Sequence, residues 1–138
     1  QLTGNTLTID VAQRVSNVDK KSKELLMNYL GNCLQVFVLQ RLAYWQQRMG
    51  VVASAVKIRV YKRRWGSCNQ RKELSFNTLL VGAPKWVIDY VIVHELAHIR
   101  YMNHGQKFWQ LVEHSYERSD EAKQWLRNNA NTPDMQFD

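Results

Sequence analysis

Apolar positions along the chain change their spacing three times, and each change marks an element. From Asp19 to about Arg48 they recur at helical intervals, with Leu26, Leu30, Cys33, Phe37 and Tyr44 on one face. This predicts a long backing helix with Cys33 as a core thiol, loosened at Gly31 and ended by Gly50. Ala55-Val56-Lys57-Ile58-Arg59-Val60-Tyr61-Lys62 then alternates as a half-exposed strand does. Arg64-Trp65-Gly66-Ser67-Cys68 and a polar turn at 69–72 lead into a second strand, Leu74 to Leu80, so a hairpin is expected. Helical spacing returns at Pro84, which suits a first turn, and runs through His98 to about Tyr101. Two short helices follow, one over Lys107–Val112 and one over Asp120–Asn128. The latter has Ser119 as its cap and buries Trp125 and Leu126. The expected class is α+β, with a small antiparallel-rich sheet. Residues 1–16 hold a strand-like segment, Leu7-Thr8-Ile9-Asp10-Val11, and read as the remnant of an upstream part, in keeping with a chain that opens on Gln1. Residues 131–138 read as a flexible tail, which leaves 17–130 as one domain.

Composition narrows the setting. A chain of 138 residues can bury a core without staples. Two cysteines, Cys33 and Cys68, make no disulfide framework, so a reducing cytoplasm is expected. There is no signal peptide and no apolar run of membrane-spanning length, so no membrane partner is expected. The formal charge is +7, and seven of the nineteen Lys and Arg residues fall within 57–72, a stretch without a single acid. Such a cluster marks either a nucleic-acid or nucleotide partner or a strand edge kept from aggregating.

The candidate chemistry lies in the third apolar segment. His94-Glu95-Leu96-Ala97-His98 is an H-E-x-x-H pattern. On a helix it stacks two imidazoles on one face, about 5–6 Å apart, so both can hold one cation. Glu95 is then placed to deprotonate a metal-bound water. A catalytic zinc needs a third protein ligand and an open position, and His104, in an Asn-His-Gly turn six residues on, is the candidate. The pattern occurs by chance in long helices. Here, however, the pentad follows Trp86-Val87-Ile88 and Tyr90-Val91-Ile92-Val93, and polar groups in so apolar a helix need a reason. Three of the four histidines fall within eleven positions, and no cysteine cage competes for the metal.

A series of motifs resembles one family. Arg64-Trp65-Gly66-Ser67-Cys68, Phe76-Asn77, Pro84, Asp89-Tyr90-Val91, His94 to His98, and Asn103-His104-Gly105 with Phe108-Trp109 together are similar to the YgjP-like metallopeptidase domain, related to the SprT and WLM zincins. The resemblance covers roughly residues 20 to 130. It implies a minimal zincin-like fold, one Zn2+ held by His94, His98 and His104, and Glu95 as general base. The histidine spacing also equals that of metzincins, but Tyr101 stands where those enzymes have a turning glycine.

The expected activity is that of a zinc metallopeptidase, in which Glu95 takes a proton from the water, hydroxide attacks the peptide carbonyl, and Glu95 passes the proton to the departing amine. The substrate is then a peptide or protein. Tyr101 and Arg64 are candidate oxyanion or substrate contacts. Asn77 lies on a strand that resembles the substrate-aligning edge strand of zincins, although a turn or ladder hydrogen bond explains it equally well. Trp65 reads as core, His114 as surface, and Cys68 as a structural thiol in preference to a redox one. Two rival activities share the metal. One is a nucleotide phosphohydrolase gripping polyphosphate through Lys62-Arg63-Arg64 and Arg71-Lys72, despite the lack of a P-loop. The other is a SprT-like DNA-associated protease. A closed, non-enzymatic zinc module is the remaining alternative.

Overall fold

The computed structural model describes residues 19–130. The strand expected at 7–11, the upstream remnant and the tail therefore lie outside the described residues.

Helix α1 (Lys20–Met49) starts at Asp19, whose carboxylate accepts from the Ser22 N–H at 2.9 Å. That bond holds the Asp19 carboxyl below its usual range. The helix ends at Gly50, whose φ of 69° is the left-handed conformation that glycine adopts without a Cβ penalty. It does not break at Gly31; instead Ile58 packs there, 3.6 Å from where a Cβ would stand. The buried stripe is Leu34, Val38, Leu42, Trp45 and Met49. Cys33 is exposed, and so is Tyr44, which corrects the expectation of a core thiol. The helix carries apolar residues around much of its circumference, so its periodicity admits two stripes about one residue apart. Only packing selects between them.

Among the described residues the sheet has three strands, β1 (Ala55–Arg59), β2 (Gly66–Cys68) and β3 (Glu73–Asn77), in the order β1-β3-β2. The hairpin is formed by β2 and β3, with Gly66 opposite Phe76 and Cys68 opposite Leu74. The first alternating segment instead pairs with β3 in parallel, Ala55 opposite Glu73 through Arg59 opposite Asn77. The chain thus leaves the sheet after Arg59, buries Trp65 and returns on the far side of β3. The β2–β3 turn is stapled by Asn69, whose Oδ1 accepts from the N–H groups of Arg71 and Glu73. Beyond Asn77 the backbone tightens into a 3-10 turn, Thr78–Gly82, where extended structure was expected to continue to Leu80.

Helix α2 (Lys85–Arg100) follows Pro84, and α3 (Gln106–Ser115) and α4 (Ser119–Asn128) complete the described residues. Ser119 is the first residue of α4, not its cap; Arg118 holds the cap position and makes no side-chain cap bond. Leu126 is buried as expected, whereas Trp125 is half-buried. Helix α2 is the centre of the molecule: every residue from Val87 to His98 except Asp89 is buried, and it packs against α1, β2, α3 and α4. Asp89 is the clamp to α1. It accepts from Arg41 Nε at 2.8 Å and from Trp45 Nε1 at 3.1 Å. The bond to Asp89 raises the pKa of the Arg41 guanidinium further.

Candidate metal centre

The last two turns of α2 carry the site. His94 and His98 stack four residues apart with ring centroids 5.2 Å from each other, as the helical pitch requires. Helix α2 stops at Tyr101, and the backbone of 101–105 carries His104 back beneath the pair. His104 then lies 5.4 Å from the His94 ring and 4.6 Å from the His98 ring. One nitrogen from each of the three rings falls within a 4.8 Å group.

Hydrogen bonds orient these rings. His98 Nδ1 is 3.1 Å from the Tyr101 carbonyl oxygen. That oxygen can only accept, so Nδ1 carries the proton and Nε2 keeps its lone pair. His98 Nε2 faces His104 Nε2 at 3.0 Å. His94 Nδ1 lies 3.1 Å from Glu95 Oε2, and the carboxylate imposes the same tautomer there. The His98–His104 pair passes a simple test for a metal. Nitrogens about 2.0–2.1 Å from a tetrahedral zinc stand roughly 3.3 Å apart, a few tenths of an ångström from the His98–His104 separation. His94, His98 and His104 thus form a group able to hold a metal ion, the one such cluster among the described residues.

Aromatic side chains fix the rings from behind. Phe108, fully buried on α3, stacks on His98 at 4.4 Å and meets His94 and His104 edge-on at 5.0 and 4.9 Å. Trp109 stacks on His104 at 5.7 Å. The sequence placed both aromatics on this helix. Their joint contact with all three imidazoles comes from the turn at 101–105.

Glu95 is buried, and Gly66 explains how it fits. A Cβ at Gly66 would stand 3.1 Å from Glu95 Oε2 and 3.1 Å from the Ser75 carbonyl oxygen. The glycine of Arg64-Trp65-Gly66-Ser67-Cys68 therefore lets β2 lie directly against the carboxylate. This residue was missed as a site component, and the close-approach meaning of a glycine in a strand was the signal for it.

The substrate-contact candidates separate. Asn77 is buried, and its amide is committed inside the fold. Its Nδ2 donates to the carbonyls of Tyr61 and Arg64 at 3.0 and 2.9 Å, and its Oδ1 accepts from the Leu79 N–H. Its strand is also paired on both sides, and among the described residues the edge beside Glu95 belongs to β2. Tyr101 reaches the site through its carbonyl, which holds His98. Arg64 is exposed, with its guanidinium 6.0 Å from the Tyr61 ring centre. Trp65 is core, tilted against Trp125, and His114 is at the surface.

A buried helix presenting H-E-x-x-H, a third imidazole folded back onto it and a small mixed sheet alongside together define a metallohydrolase architecture. The comparisons with known proteins specify it. The family model of the YgjP-like metallopeptidase domain matches residues 2–129, and the chain belongs to that family. The match takes in most of the residues before α1. Two solved structures share the fold. The metallopeptidase zymogen abylysin of Pyrococcus abyssi superposes with a TM-score of 0.61 at 22% identity, covering 66% of this chain and 92% of its own. The metallopeptidase zymogen jannalysin of Methanocaldococcus jannaschii gives 0.57 at 23% identity, covering 66% and 94%. No curated protein matches the sequence.

Proposed function

We propose that this metallopeptidase is a zinc enzyme that hydrolyses peptide bonds with Glu95 as its general base. The observation that carries the reading is the meeting of three imidazole nitrogens within 4.8 Å at the end of the helix that also bears Glu95. A divalent ion held by His94, His98 and His104 would supply Lewis acidity to a water and to the scissile carbonyl, bringing the water's pKa toward about 7. Three imidazoles and a tetrahedral preference favour zinc among the ions that such a set accepts.

The remaining work falls to the chain. Glu95 removes a proton from the attacking water and returns it to the departing amine. Its position against Gly66 and His94 limits the carboxylate to a narrow range of orientations. The Tyr101 carbonyl keeps His98 in one tautomer, and Phe108 keeps all three rings from turning. Asn77 acts indirectly, by holding the 61–64 backbone that leads into β2. Arg64, exposed at the approach to that strand, is our candidate contact for the substrate chain. Neither Cys33 nor Cys68 is in a disulfide, which supports a reducing, cytoplasmic setting, and no helix among the described residues is long and apolar enough to cross a membrane.

The test pairs metal analysis with turnover. Wild-type protein should bind one equivalent of metal and cleave members of a mixed peptide library. Glu95→Gln should keep the metal and lose activity by about 10²- to 10⁴-fold. Hydrolysis of nucleoside triphosphates without hydrolysis of any peptide would overturn the proposal. Unchanged activity in Glu95→Gln would remove Glu95 from its role.

A further inference from the structure

A cavity of about 620 Å³ lies between the first half of α1, at Met27, Asn28 and Gln35, and every residue from 56 to 60. Side chains of a strand alternate between its two faces, so a cavity lined by five consecutive residues runs along the strand's edge. Among the described residues β1 pairs only with β3, and the cavity follows the other edge. The apolar residues there are incompletely covered. Met27, Val56 and Ile58 are half-buried, and Val60 is 57% exposed. Chain order and direction single out one occupant. Ile58 packs at Gly31, and the Gln46 side chain accepts from the Ala53 N–H. Helix α1 and β1 therefore run in opposite directions, and α1 begins beyond the Arg59 end of β1. The residues before α1 enter at that end, and the family match, which starts at residue 2, counts them in the domain. Within them Leu7, Ile9 and Val11 alternate with Thr8 and Asp10, the pattern of a half-buried strand. The eight residues from 12 to 19 can span about 28 Å, against about 16 Å of helix between Lys20 and Gly31.

We propose that residues 7–11 form a further strand of the sheet, parallel to β1 and seated in this cavity, so that the segment belongs to the catalytic domain and is not the remnant of an upstream part. Parallel neighbours need a connection of a dozen or more residues, usually a helix, and α1 is that connection. Burial sets the register. Ile58 faces α1 at Gly31 and Val56 shares its face, whereas Lys57 and Arg59 are exposed on the other. Leu7, Ile9 and Val11 then lie level with Val56, Ile58 and Val60, which puts Thr8 beside Lys57 and Asp10 beside Arg59. Asp10 is the one acid before Asp19, and residues 57–72 contain none. Lys57 already meets Glu73 at 3.8 Å, so Arg59 is the cation that Asp10 pairs with. Cations on an edge strand keep unrelated chains from adding to it; a strand with an acid at this register is the exception they admit. The proposal does not depend on the activity of the metal centre.

Amide hydrogen exchange on the full chain reads the edge directly. A strand paired on both sides protects all its amides, whereas one paired on a single side leaves alternate amides to solvent. Every amide from residue 56 to 59 should exchange slower than the unprotected rate by about 100-fold or more, and equally at low and high protein concentration. Alternate amides exchanging at the unprotected rate would overturn the proposal. Protection that appears only as concentration rises would overturn it too, and assign the edge to a second copy of the chain. Ile9→Asp, which puts a charge under α1, should release alternate amides of β1 while those of α2 stay protected; full protection of β1 in this variant counts against the placement. Where Ile9→Asp does not fold, the wild-type exchange pattern still decides. Asp10→Arg should lower the melting temperature by a few degrees, and Arg59→Asp in the same chain should restore part of that loss. A double variant with no recovery would refute the pairing of Asp10 with Arg59.

Discussion

Helices α1 and α2 lie side by side, yet they solve opposite problems. Helix α1 has 30 residues and buries one stripe; Leu25 and Leu39 remain 63% and 48% exposed. Helix α2 has 16 residues and is enclosed over most of its length, polar groups included. An exposed side chain can find water, so α1 tolerates irregularity. A polar group inside α2 must find a partner in the protein or in a bound ion. That is why Asp89 holds Arg41 and Trp45, and why the imidazoles gather. The same enclosure that makes polar residues costly gives them fixed positions.

Truncating Ile92 in α2 is the harshest test of this contrast. Ile92→Ala should destabilise the fold by about 2–5 kcal/mol, whereas Leu25→Ala in α1 should stay within about 0.5 kcal/mol; equal shifts in denaturant midpoint would remove the distinction. Next in size is the clamp between the helices. Asp89→Ala leaves Arg41 and Trp45 without their acceptor and should cost about 1–3 kcal/mol. Arg41→Met should cost less in the Asp89→Ala background than in wild type, and a double-mutant cycle measures that coupling.

Glycines sharpen the comparison further. In Gly66→Ala the new methyl meets the Ser75 carbonyl, which cannot move aside, and the Glu95 carboxylate. Stability should fall by about 1–3 kcal/mol and kcat/KM by on the order of 10- to 100-fold. Gly31→Ala, where neighbours stand at ordinary contact distance of 3.6 Å or more, should instead stabilise α1 by about 0.5–1 kcal/mol. Thermal melts order the two variants, and a stabilised Gly66→Ala would contradict the packing described for Glu95.

The smallest effect is one of pH. Burial first, and then the charge of Asp89, pushes the Tyr116 phenol from its ordinary 10 up to about 12, while its hydroxyl donates to the Trp86 carbonyl at 2.6 Å. The unfolded chain ionises at the lower value and the folded chain at the higher. Tyr116 therefore contributes stability below pH 10 that is lost as pH rises from 10 through about 12. Melting temperatures across that window should fall more steeply in wild type than in Tyr116→Phe.

Much of this was legible beforehand. The bounds of α1 and α2 and the stacking of His94 on His98 follow from periodicity that a helix converts into geometry by itself, whereas His104 joins them through the turn at 101–105. Other features were not legible, for reasons particular to each. The stripe on α1 was misread because Leu26, Leu30 and Phe37 repeat as convincingly as Leu34, Val38 and Leu42. The partner of the first strand was misread because period-two alternation states which face a residue takes but not which strand lies beside it. Asn77 was ambiguous because an amide serves a substrate or a loop equally well.

The amino-acid sequence by itself determined the helices and the stacking of His94 on His98, since each depends on contacts within a few residues. Tertiary structure alone decided that β3 lies between β1 and β2, that Gly66 rests against Glu95, and that one phenylalanine braces three imidazoles. Those facts join segments tens of residues apart, and they are fixed by how buried surfaces fit together, not by local conformational preference.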